Sequence, residues 1–456
     1  MAAELALLTP EITLLLTIVF ALVAEMLRLP RIALGVALSG LLLASGLSLP
    51  LLGLDSSVFG GTYRIDGLSV WAKLILLPAT ALSILLARAE LGGSDREGTV
   101  YVLLMLVTLG SLVLASAGDT MLLVLGVLLS GLGSFALVAY PRDDAATEAA
   151  MKFFVFASVT GAVMIFGLSY WFGGTGTTLL SDLSRLEDSR LIASVGLVAV
   201  IVGLGYKASL VPFHFWAPDA YQGAPVSIAA YMSVVPKIGA ILALAQVVRD
   251  LPLGSDWPLL VAVISVLTMT YGYLAALVQG KVVRLLAYSS IAQAGYFLLA
   301  IVAVGTSPLA TTSLIIFSAA YAVMNLGAFA VVMCIGRSLD DFAAAGRRNV
   351  AIGIAMVVFL LSLAGIPPLA GFVGKFLLFG AAMDAGFTWL AIVAILNSVL
   401  SLAVYLRIVV VMYRQADTQA AAAPVSLPLV NLVIVVAFAF TLGIGLAAQA
   451  LLGPMG

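Results

Sequence analysis

The sequence predicts an all-α integral membrane protein of about fourteen transmembrane helices. Three observations predict it. The chain has 456 residues, is 63% hydrophobic and only 9% charged, whereas a soluble protein carries about 25% charged residues. Apolar runs of about 18 residues or more, each long enough to cross a bilayer, recur from one end to the other. The runs are solid, without the alternation of barrel strands, and in lipid only helices and closed barrels satisfy their own backbones.

Taken in order, the spans are centred roughly at residues 20, 43, 77, 108, 128, 162, 203, 236, 268, 295, 322, 360, 398 and 438. Glu4 and Glu11 precede the first span and no basic stretch does, so it reads as a retained helix and not a cleaved signal. The turns between spans alternate in charge. Odd-numbered turns hold Arg28 and Arg31, Arg88 and Arg96, Arg142 and Lys152, Lys281 and Arg284, then Arg337, Arg347 and Arg348. Even-numbered turns hold only Arg64, Arg185, Arg190 and Arg249. The positive-inside rule makes the odd turns cytoplasmic, and an even number of spans then puts both termini outside. The loop around 173–190, with Arg185 and Arg190, runs against this pattern. No soluble domain interrupts the series, so residues 1–456 read as a single polytopic membrane domain.

Composition excludes several kinds of chemistry. The single cysteine, Cys334, lies in the apolar run "VVMCIG" and reads as a buried structural thiol. One cysteine and one histidine cannot build an iron–sulfur cluster or a bis-histidine haem site. No cofactor or metal is expected on this chain, and any electrons involved travel on another one. A net charge of -1 provides no basic surface for nucleic acid.

What stands out is charge placed inside the apolar runs. Lys73 ("SVWAKLILLP") lies near the start of its span and can snorkel. Lys207, Lys237 ("SVVPKIGA") and Lys375 ("GFVGKFLLF") lie deeper, each beside a proline or glycine. A lysine near the bilayer centre costs roughly 2.5–3.5 kcal/mol on insertion scales. Burial disfavours the charged form of any lysine, so such groups suit the uptake and release of a proton. The plainer alternative is an ammonium bonded to helix-end carbonyls freed by the proline. The only histidine, His214, follows Pro212 within "SLVPFHFWAP" (209–218); it reads equally as a packed wedge or a proton relay. Asp219 reads as a cap for the following helix or as a marker of the interface. Glu148 and Lys152 form an i,i+4 pair opening the sixth span. "SLVPFHFWAP" and "SLAGIPPLAGFVGKF" (362–376) are both proline-broken apolar stretches with a nearby lysine, in the seventh and twelfth spans. Pro212 marks the first break, and Pro367 and Pro368 mark the second. Broken helices at matching places in two halves are a mark of inverted-repeat transporters.

Three motifs, "GYKASLVPFHFWAPDAYQGAP" (205–225), "RLLAYSSIAQAGY" (284–296) and "LSLAGIPPLAGFVGKF" (361–376), resemble the antiporter-like membrane subunits of respiratory complex I, nearest to the subunit N branch. The resemblance covers roughly residues 60–415 and keeps the order and spacing of all three motifs. It implies fourteen helices with two inverted five-helix repeats, about 99–248 and 258–414, and broken helices seven and twelve. It implies proton translocation coupled to quinone reduction elsewhere in an NADH:quinone oxidoreductase, a translocase of class EC 7.1.1. Lys207 then matches the lysine of broken helix seven. Lys237 matches the connecting lysine of helix eight, and Lys375 the lysine of helix twelve nearest the exit. Glu148 and Lys152 match the opening of helix six. Flavin, iron–sulfur clusters and quinone would sit on partner subunits, which include other antiporter-like chains. The location implied is a bacterial inner membrane.

Two positions depart from the family pattern. A glutamate is usual in helix five, and here the aligned residue is Leu128, or Val127 with a one-residue shift. A histidine is usual in helix ten, and here it is Gln293, leaving Tyr296 or water to continue any relay there. Without the carboxylate, Lys207 is expected to be neutral at rest or to share water held by Ser130 and Ser134, one helical turn apart. Two other readings remain open at this stage. One is a subunit of an Mrp-type cation/proton antiporter or a membrane-bound hydrogenase relative. The other is a membrane-arm scaffold with impaired pumping.

Overall fold

Apolar runs in lipid must bond their own backbones, and nearly every run here does so as a helix. The computed structural model describes residues 2–251, 257–414 and 427–447. The chain begins with α1 (Ala2–Leu7), α2 (Thr9–Met26) and α3 (Pro30–Ser48). A short antiparallel hairpin follows, β1 (Ser56–Val58) paired with β2 (Tyr63–Ile65), Ser56 opposite Ile65. Next come α4 (Gly67–Leu91), α5 (Glu97–Ala115), α6 (Thr120–Val138) and α7 (Asp144–Thr175). Then follow α8 (Arg190–Ala208), the short α9 (Trp216–Gly223), α10 (Val226–Val248) and α11 (Trp257–Leu277). The second half holds α12 (Val282–Val302), α13 (Leu309–Ile335), α14 (Ala345–Arg348) and α15 (Val350–Ala364). It ends with α16 (Ala370–Asp384), α17 (Thr388–Tyr413) and α18 (Pro428–Leu446).

Among the described residues, thirteen helices are long and apolar enough to cross a membrane. α15 and α16 have 15 residues each, too short singly, and are separated by residues 365–369; a fourteenth candidate crossing pairs residues 340–348 with α15 across a bend of 116°. Local signals set many of the ends. Asp66, Asp119 and Asp143 cap α4, α6 and α7 by accepting first-turn N–H groups. Gly365 closes α15 at φ +92, a left-handed conformation that a side chain resists.

Helix α10 forms the axis of the bundle. All 23 of its residues are buried, and α4, α5, α8, α12 and α13 pack around it. Gly239 allows the approach of α5: a Cβ there would sit 2.7–2.9 Å from Ser111 atoms, two of them backbone. α12 and α13 are nearly as buried, while α2, α3, α7 and α18 show most of their surface. Neighbours repeat between the halves. α5 lies on α6, α7 on α8, and α10 returns to α5; α11 lies on α12, α13 on α15 and α16, and α17 returns to α11.

Two polar clusters gather the charges of the turns. Lys152, Asp219, Arg284, Gln222 and Arg337 are linked at one end: Asp219 accepts from Lys152 (3.2 Å) and Arg284 (2.7 Å), and Arg337 donates to the Gln222 and Ala224 carbonyls. Asp219 lies inside α9 and joins the two halves. It does not cap α10, because its carboxylate is spent on these two cations. The second cluster holds Arg64, Asp66, Gln246, Arg249 and Asp250. Arg64 bonds the Gln246 carbonyl and side chain and pairs with Asp250. Lys152, Arg284 and Arg337 of three odd-numbered turns thus share one cluster, and Arg64 and Arg249 of two even-numbered turns share the other.

Lys73 does not snorkel. It is fully buried and ion-paired to Glu11 of α2 at 2.9 Å, and the same Glu11 oxygen accepts from Tyr63 at 2.6 Å. A partner from a different helix makes deep burial tolerable where solvent contact was the alternative.

Asp66 accepts from Ser69 N–H (2.9 Å), Gln246 Nε2 (3.0 Å) and Arg249 (2.8 Å). Burial alone would raise its carboxyl, but these hydrogen bonds and the Arg249 charge outweigh it and hold the group below the usual carboxylate value. A group depressed by folding stabilises above its unfolded value and loses that contribution as pH falls through the folded one. Asp66→Asn should therefore lower stability at neutral pH by about 1–3 kcal/mol. In thermal unfolding across pH, the gap from the unsubstituted protein should hold down to weak acid and close only below about pH 4.

Candidate functional site

The three deep lysines are all buried, with relative exposures of 1%, 1% and 2% for Lys207, Lys237 and Lys375. Each has a different environment, set by the helix that carries it.

Lys207 sits in the last turn of α8, just before a break over residues 209–215 that contains Pro212. The break is ordered. Ser209 takes a left-handed conformation at φ 62, Leu210 N–H returns to the Gly205 carbonyl (2.7 Å), and Val211 N–H donates to Thr268 of α11 (3.1 Å). Trp216 Nε1 donates to the Tyr206 carbonyl at 2.8 Å and stacks on Phe153. Pro218 lies in the first turn of α9, where a proline is tolerated. The Lys207 Nζ has no hydrogen-bond partner among the described residues and lies 5.9 Å from the Phe153 ring centre. His214 is packed between Phe215 (4.5 Å) and Tyr271 (4.6 Å), and neither ring nitrogen is bonded to protein. That is the geometry of an aromatic wedge.

Lys237 lies in α10, directly after Pro236. Its Nζ donates to the Ser290 carbonyl (2.7 Å) and hydroxyl (2.5 Å) on α12. The Ser290 hydroxyl meets Tyr321 (2.8 Å), which donates back to the Ser233 carbonyl on α10 (2.9 Å). Asn325 bonds the Ser233 hydroxyl.

Lys375 sits in the second turn of α16, after a break containing Pro367 and Pro368. Its Nζ donates to the Ala364 carbonyl at the end of α15 (3.1 Å), lies 3.4 Å from Ser398 Oγ and 4.0 Å over the Tyr296 ring. A helix C-terminus and an aromatic face both attract a cation. Tyr296 closes the group by bonding Ser398 (2.9 Å).

Helix α12 connects these places. Ser289, Ser290, Gln293 and Tyr296 follow one another along it. Gln293 Nε2 reaches Tyr273 (3.1 Å), Tyr405 (3.2 Å) and the Leu363 carbonyl (2.9 Å), the residue before the Lys375 acceptor. Tyr405 in turn meets Ser289 at 2.6 Å. Two polar sets thus lie next to each other on α12: one joins Lys237, Ser290 and Tyr321, and the other runs from Ser289 through Tyr405 and Gln293 to the Leu363 carbonyl beside the Lys375 acceptor. Lys207 stands apart from this set. Sequence reasoning missed Tyr273, Tyr321, Asn325, Ser398 and Tyr405. Ser289 and Ser290 lay within a quoted motif but were not singled out.

The remaining candidates divide. Glu148 and Lys152 form their ion pair (2.7 Å) on the exposed face of α7. Ser134 turns its hydroxyl to the Ser130 carbonyl (2.6 Å), and the Ser130 hydroxyl has no protein partner. Leu128 is 52% exposed on the outer face of α6, whereas Val127 packs against the core. The helical phase therefore makes Val127 the inward position of the pair. Cys334 is buried and free. Among the described residues no cluster of three or more His, Cys, Asp or Glu side chains could hold a metal ion.

Ser290→Ala removes a hydroxyl that serves both Lys237 and Tyr321, leaving the lysine only the Ser290 carbonyl and the phenol only the Ser233 carbonyl. It should lower stability by about 1–3 kcal/mol, read from thermal unfolding in lipid nanodiscs. Ser313→Ala, at a hydroxyl bonded only within its own helix, should change it far less.

Residues 117–401 match the family described as NADH:quinone oxidoreductase/Mrp antiporter, TM. The chain is 37% identical to the NADH-quinone oxidoreductase subunit N 1 of Streptomyces griseus, over 99% of this chain and 98% of that one. It is 39% identical to the F(420)H(2) dehydrogenase subunit N of Methanosarcina mazei, over 91% and 88%. A chain of respiratory complex I from Thermus thermophilus superimposes with a TM-score of 0.87 at 31% identity, covering 97% of this chain and 98% of its own.

Proposed function

Because this chain belongs to the NADH:quinone oxidoreductase/Mrp antiporter membrane family, we propose that it is the proton-translocating, antiporter-like subunit of a complex I-type oxidoreductase. The observation that carries the proposal is the row of three buried lysines, two of them beside polar residues of α12. Quinone reduction takes place elsewhere in the complex, on partner subunits that carry the flavin and iron–sulfur clusters. This chain supplies the proton path in a bacterial inner membrane. The odd-numbered turns face the cytoplasm and both termini face outward.

In this reading Lys237 and Lys375 exchange protons along hydroxyls and water between α10, α12 and α16. Each can give up its proton without leaving a bare site, because Ser290, Tyr321, Ser398 and Tyr296 can reorient. Lys207 works without a carboxylate partner and exchanges with water at the α8–α9 break. Gln293 orients Tyr273 and Tyr405 and carries no proton charge. His214 wedges the break open. The neighbour pattern of α5–α10 recurs in α11–α17, which supports two five-crossing repeats close to 99–248 and 258–414. Relatives named for two electron donors, NADH and F(420)H(2), are similar to nearly the same degree. The proposal therefore concerns the translocation module and not the donor.

Lys207→Ala and Lys375→Ala, in the assembled complex reconstituted into vesicles, should each lower the protons moved per electron pair at a retained rate of quinone reduction. An unchanged ratio for Lys207→Ala would remove that lysine from the path and favour a scaffold role for the first half.

A further inference from the structure

Helix α10 has nothing of its own to hold its first turn. Its N-cap is Pro225, which makes no side-chain cap bond, and the first N–H groups of any helix lack intrahelical partners. The acceptor comes from another helix. Glu90, at the C-terminal end of α4, takes the Val226 N–H on Oε1 (2.8 Å) and the Ser227 N–H on Oε2 (2.7 Å). One carboxylate thus caps a helix start 136 residues away, with both oxygens used and its charge at the positive end of the helix dipole.

The other end of the pair is tied in the same manner. Asp66, which caps α4, accepts from Gln246 in the last turn of α10 and from Arg249 just beyond it. Midway, Thr80 of α4 meets Thr108 of α5 (2.7 Å), which meets Tyr231 of α10 (2.8 Å). α4 therefore lies antiparallel along α10 as a splint with a carboxylate at each end. It lies outside the residues that match the family.

The splinted helix is the one that carries Lys237. Pro236 removes a rung from the α10 ladder immediately before that lysine, and a helix can bend where a rung is missing. A helix rises about 1.5 Å per residue, so a slip of one residue would lengthen or misalign the Nζ contacts with the Ser290 carbonyl and hydroxyl. We infer that Glu90 is a positioning residue for Lys237: it caps α10 from α4 and sets the height at which the lysine meets Ser290. The inference rests on Lys237 being a proton-transfer group.

The test uses the assembled complex in vesicles, with proton translocation and quinone reduction followed across pH. Glu90 is exposed at a helix end, so its loss does not hollow the core. Glu90→Ala should shift the pH profile of translocation by about one pH unit, a tenfold change in proton affinity. Glu90→Gln keeps one good acceptor and should shift it less. In a Lys237→Ala background, Glu90→Ala should add nothing. A Glu90→Ala profile that overlays the unsubstituted one would overturn the inference, as would a defect that adds to Lys237→Ala. If Glu90→Ala fails to assemble, the Glu90→Gln profile and its own double variant decide on the same terms. Normal translocation by Lys237→Ala alone would overturn the proton-transfer reading of Lys237 and this inference with it. A defective Lys237→Ala beside a silent Glu90→Ala would overturn the inference alone.

Discussion

The bundle depends on one constraint: a helix with no surface left to expose carries an ammonium group at its middle. α10 cannot turn Lys237 to lipid or headgroups, because all of its faces are covered. The cation must be met by oxygen from a neighbour, and Ser290 of α12 provides two such atoms. That contact requires α12 at one height beside α10. It also requires Tyr321 of α13 to hold the serine hydroxyl. The ties at both ends of α10 serve the same end, since a helix interrupted by proline keeps its register only if something else fixes it.

The three lysines show how an apolar protein can carry charge without one uniform solution. Lys375 uses the carbonyl end of a broken helix and an aromatic ring. Lys237 uses a serine in an unbroken one. Lys207 has an aromatic ring and no protein acceptor. The last is the unusual site of the three, because no group among the described residues accepts a hydrogen bond from it. The cost of a buried charge falls when the group can become neutral, and none of the three has a carboxylate within hydrogen-bond reach among the described residues.

Much of the fold could be read along the chain, and the reasons are local. A run of apolar residues about 18 long commits the backbone to a helix wherever lipid surrounds it. Pro212 and the Pro367–Pro368 pair mark the interruptions because proline lacks the N–H that a helix interior uses. The three buried lysines were legible for a related reason: a charge in an apolar run has few bland explanations. Lys73 lies nearer the start of its span, and the sequence leaves snorkelling open for it. Glu11, arriving from α2, decides against it.

The choice between Leu128 and Val127 shows where linear reading stops. Neighbouring residues on a helix point about 100° apart, so a one-residue shift decides between core and lipid, and the apolar surroundings of α6 do not mark which face is which. The partners of Lys237, Gln293 and Asp219 come from residues 20 to 112 positions away, and no local pattern encodes such distances. By itself the sequence determined the membrane class, the order of crossings, the two breaks and the positions of the buried cations, all consequences of how one segment meets lipid. Tertiary structure alone decided which oxygen meets which cation, and that α4 holds α10 at both ends, because those contacts exist only once distant helices lie side by side.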